Sequence, residues 1–174
     1  MAIALLAATA LALAGLLATS AQGFLAASGL MASAPLPGAL VTRHVGYAIP
    51  TVLLSLFSQS MVIFYFIGTG KLVKEEIASY PETERRPILA ALRGLKARTS
   101  PPATFALLSS IAVFVLGGGA HTHALPAWTH LASALAAVAL HAWALAADWR
   151  AFGENHRLMA NPRAFAKKGH VDGP

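Results

Sequence analysis

Seven histidines stand in a chain that has no cysteine. Imidazole is a ligand for zinc, copper and haem iron. Without cysteine, the chain has no residue for disulfides, thiolate metal sites, iron–sulfur clusters or c-type haem attachment. His44 follows Arg43 at the head of an apolar run. His121 and His123 share the segment GGGAHTHALP, and His130 opens the next apolar run. Two chemistries follow from these four. His44, His121, His123 and His130 make a metal-binding set, although no carboxylate lies nearby in sequence to orient the rings. Alternatively, His44 and His130 are axial ligands to a b-type haem held between helices. The plain alternative is a group of interfacial histidines whose polar rings face lipid headgroups.

His141 sits deep in a different setting, ASALAAVALHAWALAAD. It follows His130 by eleven residues, about three turns or roughly 16 Å, so both lie on one helix face. An imidazole buried in lipid needs a hydrogen-bonding partner. Matching depths along the second and fourth spans, which run in the same direction, places it level with about Phe57 to Ser60. Gln59, Ser58 and Ser109 or Ser110 are the candidate partners, and Gln59 offers both a donor and an acceptor. As chemistry, His141 with Gln59 reads as a structural polar clamp, a haem ligand, a quinone hydrogen-bond site or a proton relay.

The elements that must position these residues are helices in a bilayer. The chain is 56% hydrophobic and 11% charged, against about 25% charged in an average soluble domain. One run is uncharged from Val45 to Gly70, about 39 Å as a helix against a hydrocarbon core of roughly 30 Å. It carries Ser55, Ser58, Gln59, Ser60 and Tyr65, and Pro50 lies near its start. Residues 1–42 hold no charged side chain, and no basic segment precedes the first apolar run. This reads as a retained first span rather than a cleaved signal. Pro35, Pro37 and Gly38 make the first connection. Thr99-Ser100-Pro101-Pro102 reads as the start of a short third span. Trp128 and Trp149 bracket the fourth, as interfacial anchors do.

The expected fold is all-α: an integral membrane, four-transmembrane-helix, up-down bundle forming one domain over residues 1–174. Its spans lie near 3–30, 44–70, 103–119 and 128–149, with a connector over 71–100 and a tail over 150–174. The connector's segment 82–98 reads as an amphipathic helix. Ile88, Leu89, Leu92 and Leu95 form its apolar stripe, suited either to an anionic inner leaflet or to a solvated connector. Lys71 and Glu75 are spaced i,i+4. Asp148 is expected at the interface, paired with Lys71 or Arg150. Gly169 to Pro174 is expected to be disordered.

Charge placement orients the bundle. Lys71, Lys74, Arg85, Arg86, Arg93, Lys96 and Arg98 fall in the connector; Arg150, Arg157, Arg163, Lys167 and Lys168 fall in the tail. Only Arg43 lies on the other side. The positive-inside rule then places both termini in the cytosol of a cell (inner) membrane. The net charge of +6 is thus a topology signal and not a nucleic-acid footprint. Hydrolase, nucleotide-binding and zinc-protease motifs are absent, and Gly68-Thr69-Gly70-Lys71 lacks phosphate-loop spacing. Three functions compete: a non-enzymatic membrane subunit or accessory protein with partner subunits in the membrane, a b-haem redox protein linked to quinone, and an outer-face metal-binding protein.

Overall fold

The computed structural model describes residues 1–27 and 38–171. The described residues are helical apart from short connections and contain no strand. In chain order the elements are α1 (Ala2–Ala27), α2 (Gly38–Glu76), a 3-10 turn (Ile77–Ser79), α3 (Glu82–His121), α4 (Ala127–Ala160) and α5 (Pro162–Val171). α1 to α4 are each long and apolar enough to cross a membrane. The Pro35–Pro37 part of the first connection lies outside the described residues.

Side-chain pairings give the directions. Gly15 faces Thr51 and Gly23 faces His44, so α1 and α2 are antiparallel. Ser55 meets Ser110, and Val62 clusters with Ala103, so α2 and α3 are antiparallel. Gly117 faces His130 and Arg98 pairs with Glu154, so α3 and α4 are antiparallel too. α1 and α3 each pack along both α2 and α4, while α2 and α4 meet more sparingly, across the diagonal. The result is an up-down four-helix arrangement. One end carries His44 and His130 (the histidine end), and the other carries the α2–α3 turn and α5 (the basic end).

The third element differs from its sequence expectation. The amphipathic segment and the short third span are one continuous helix through Pro101 and Pro102. Two prolines leave the carbonyls of Ala97 and Arg98 without helical donors, which alone would end a helix. Packing outweighs that loss. Ile88, Leu92 and Leu95 are buried with Val73, Ile77, Ala151 and Leu158. Pro102 and Ala103 are buried about two turns further on. The apolar stripe of 82–98 therefore packs on the chain's own helices, while Arg93, Lys96 and Arg98 stay exposed. Pro101 is exposed, and Pro101→Ala restores one backbone bond without removing a buried contact. The expected gain is about 1–3 kcal/mol, read as a higher melting midpoint in detergent. A lowered midpoint would mean that the ring is required by the packing of this turn.

The basic end is closed by local capping. Pro81 starts α3 by accepting from the Glu84 and Arg85 amides at 3.0 Å, and acidic Glu82 and Glu84 occupy the favourable first turn. Glu82 receives hydrogen bonds from Arg86 and Arg85, which hold its carboxyl below the usual range. Asn161 accepts from the Ala164 amide at 3.3 Å, and Pro162 follows at the first helical position. α5 thus extends helix to Val171, into the stretch expected to be disordered; residues 172–174 lie outside the described residues. Its Phe165 packs on the core, and its Arg163 lies 4.8 Å over the Tyr80 ring.

Candidate functional site at the histidine end and along the bundle axis

At the histidine end, His44 of α2 and His130 of α4 reach across the diagonal. Their ring centroids are 6.2 Å apart with planes at 77°. The other two helices make room for them. A Cβ on Gly23 of α1 would come within 3.2 Å of the His44 ring, and one on Gly117 of α3 within 2.9 Å of the His130 ring. One ring N–H of His44 faces the Thr19 carbonyl, and one of His130 faces the Val113 carbonyl. Nδ1 of each ring is buried with no hydrogen-bond partner. Beside the pair lies a cavity of about 310 Å³, lined by residues of all four long helices. It reaches the surface beside exposed Phe24 and Trp128.

The other two histidines of the predicted set do not join this pair. His121 ends α3 and His123 lies in the α3–α4 connection, and both are exposed. His123 adopts a positive φ of 58°, a backbone state in which histidine is enriched among non-glycine residues. Among the described residues, no group of three or more His, Asp or Glu side chains is close enough to hold a metal ion.

His141 is fully buried, as its depth demanded. Its Nδ1–H donates to the Ala137 carbonyl at 2.8 Å. Nε2 is therefore the acceptor, and it takes the Ser55 hydroxyl of α2. Ser110 of α3 lies 3.3 Å from Nε2 and 2.9 Å from the Ser55 oxygen. The Ser110 hydroxyl also has the Ala106 carbonyl at 3.1 Å. Three helices are thus tied by one neutral imidazole and two hydroxyls. Of the expected partners, Ser110 is present. Gln59 is not: its side chain is fully buried, yet neither amide atom has a hydrogen-bond partner. The register explains the substitution. Ser55, one turn nearer the histidine end than Gln59, is the residue level with His141.

Further along the axis, Asn155 of α4 makes a third polar station. Its Nδ2 donates to the Tyr65 hydroxyl at 3.3 Å, and its Oδ1 accepts from Thr69 at 3.4 Å. Between these stations stands Asp148. The interfacial pairing expected for it is not made. Asp148 is fully buried, and neither carboxylate oxygen has a partner. Lys71 pairs instead with Glu75 at 3.8 Å, as their spacing implied, and Glu154 pairs with Arg98 at 2.8 Å. His141, Asp148 and Asn155 recur every seven residues, which repeats one face of a helix at about 10.5 Å intervals. That spacing was visible in the sequence. The neighbouring Trp149 and Arg150 masked it by marking an interface.

The fold and site together define an all-helical bundle with a histidine pair at one end and a file of buried polar residues on its axis. No protein-family model, curated protein or solved structure matches this chain.

Proposed function

We propose that the chain is a multi-pass membrane protein whose His44 and His130 would together hold one b-type haem, a group that supplies one-electron redox chemistry. The observation that carries this reading is the spacing of the two rings. A metal–imidazole bond of about 2 Å, with roughly 1.2 Å from nitrogen to ring centre, puts two opposed imidazole centroids about 6.4 Å apart. The ring centroids of His44 and His130 stand 6.2 Å apart, which matches that spacing, with the ring planes at 77°. Three features support the fit: each ring has a spare buried nitrogen, glycine stands against each ring, and the adjoining cavity is apolar in character. A bound haem supplies one-electron transfer between ferric and ferrous iron. The chain's own part would be to fix the rings by the Thr19 and Val113 carbonyls.

The bilayer orientation belongs to the same proposal. Lysines and arginines sit at the basic end except for Arg43. The positive-inside rule then turns the basic end and both termini to the cytosol of the inner membrane and the histidine end outward. Exposed Trp128 and Trp149 at the two ends of the apolar part of α4 suit the two interfaces. The closed Ser55–Ser110–His141 network favours a structural role for His141, as a clamp between helices rather than a ligand.

The test is a titration of the purified protein in detergent with haemin, followed in the Soret region. Saturation at one haem per chain with a low-spin spectrum is expected. Gly117→Ala gives a sharper check. The added methyl meets the His130 ring, so haem affinity falls on the order of tenfold or more, as for other changes that disturb the setting of a ligand. Gly118→Ala, where a Cβ meets nothing within 4 Å, leaves affinity unchanged. Equal behaviour of the two variants would contradict the site.

A further inference from the structure

The most demanding group in the molecule is one that the haem reading leaves unused. Asp148 is a fully buried carboxyl without a partner, and Gln59 is a fully buried carboxamide without a partner. Their placement relates them. Ser55 pairs with His141 and Thr69 pairs with Asn155, so α2 and α4 run in parallel with a constant register. Midway between those levels, Asp148 stands opposite Val62. Gln59 is three residues toward the histidine end, about 4.5 Å along the axis. Two unsatisfied polar side chains thus occupy neighbouring levels of one closed core.

No fixed charge compensates Asp148. α1 carries no charged side chain, α2 carries none between Val45 and Gly70, and α3 carries none between Thr99 and Ala120. Leu5 of α1, Val62 of α2 and Ala103 of α3 lie around its level. On α4 the ionisable neighbour within the core is His141, two turns away and engaged with Ser55 and Ala137. An isolated carboxylate in such a setting costs far more than the core can offset. A neutral acid does not carry that cost, and its hydroxyl is a donor of the kind the unpartnered Gln59 oxygen lacks, whether directly or through one water.

We propose that Asp148 is a proton-binding site within the membrane core, with Gln59 as the group that accepts the acid's hydrogen bond. Binding forms one O–H bond on the carboxylate; nothing is oxidised or reduced. The site has a polar neighbour on each side along the axis: the Asn155–Thr69–Tyr65 set toward the basic end and the Ser55–Ser110–His141 set toward the histidine end. Tyr65 and Thr69 also line a groove of about 1150 Å³ between α1, α2 and α4. A proton arriving from the basic end therefore meets hydroxyl and amide groups before it reaches Asp148.

A hydrophobic carbodiimide reports this state, because it adds to a protonated carboxyl in an apolar site. The full-length protein in detergent is treated at neutral pH, with and without sodium chloride, and the modified residue is located by peptide mass spectrometry. The expected result is modification at Asp148 that declines at alkaline pH, is indifferent to sodium and is lost in Asp148→Asn. Asp148→Glu retains an acid and should retain labelling, which guards against a folding defect in the amide variant. Labelling confined to surface carboxyls would overturn the proposal. Protection of Asp148 by sodium would also overturn it, in favour of a carboxylate that holds a metal cation. The experiment needs no haem, so its outcome is independent of the histidine-end reading.

Discussion

If the proposed haem site is right, replacing His44 or His130 by alanine is expected to abolish low-spin haem binding. On that reading each substitution removes one of the two residues that would hold the haem, and the two come from diagonally opposed helices, so neither has a neighbouring histidine to replace it. Exposed His121 and His123 belong to the α3 end and its connection. The loss in haem affinity should exceed the roughly 10–100-fold typical of residues that only orient a ligand. Any haem that remains should be high-spin, with one protein ligand. The bundle should stay folded, since both rings are only half-buried and lie at its end. Helical content by circular dichroism, measured beside the absorbance spectrum, separates ligand loss from unfolding. Retention of a low-spin spectrum in both variants would remove the pair as ligands.

The second large effect concerns stability. His141→Ala should destabilise the bundle by about 2–4 kcal/mol, combining a core cavity with the loss of an acceptor for a buried hydroxyl. Hydrogen bonds between membrane helices contribute only about 0.6 kcal/mol on average, so most of the effect comes from lost packing. Ser110 is protected, because it already has the Ala106 carbonyl. Ser55 has no such second acceptor beyond Ser110. His141→Gln keeps polar capacity and much of the volume, and should cost about 1 kcal/mol. Denaturant-induced unfolding in mixed micelles measures both. Haem content should survive in each, because His141 lies about 16 Å from His130 along α4. An unchanged midpoint in His141→Ala would show that the network does not hold α2, α3 and α4 together.

Much of this arrangement is legible in the amino-acid sequence, for specific reasons. Four apolar runs and two clusters of basic residues define four long helices and their two ends. Depth counting brought His44 to His130 and required a partner for His141. That count gives both Ser110 and Gln59; Ser110 is in place, whereas a shift of one helical turn in register puts Ser55 where Gln59 is expected. Local signals misled where packing overrides them. Thr99-Ser100-Pro101-Pro102 carries the chemistry of a helix start, yet buried Leu95, Thr99, Pro102 and Ala103 hold α3 continuous across it. Asp148 was assigned to the interface by Trp149 and Arg150, which point outward, while its own side chain turns inward. The repeat of His141, Asp148 and Asn155 at seven-residue spacing was the overlooked signal: in an alanine-rich helix, polar residues kept on one face mark the side that meets other helices.

The most direct test of the central claim is the reduced-minus-oxidised visible spectrum of the protein purified from cells supplied with haem precursor, together with its haem-to-chain ratio. One haem per chain is expected, with sharp α and β bands on reduction and their loss in His44→Ala and His130→Ala. A colourless protein that also fails to take up added haemin would contradict the account, and so would a spectrum that survives both substitutions.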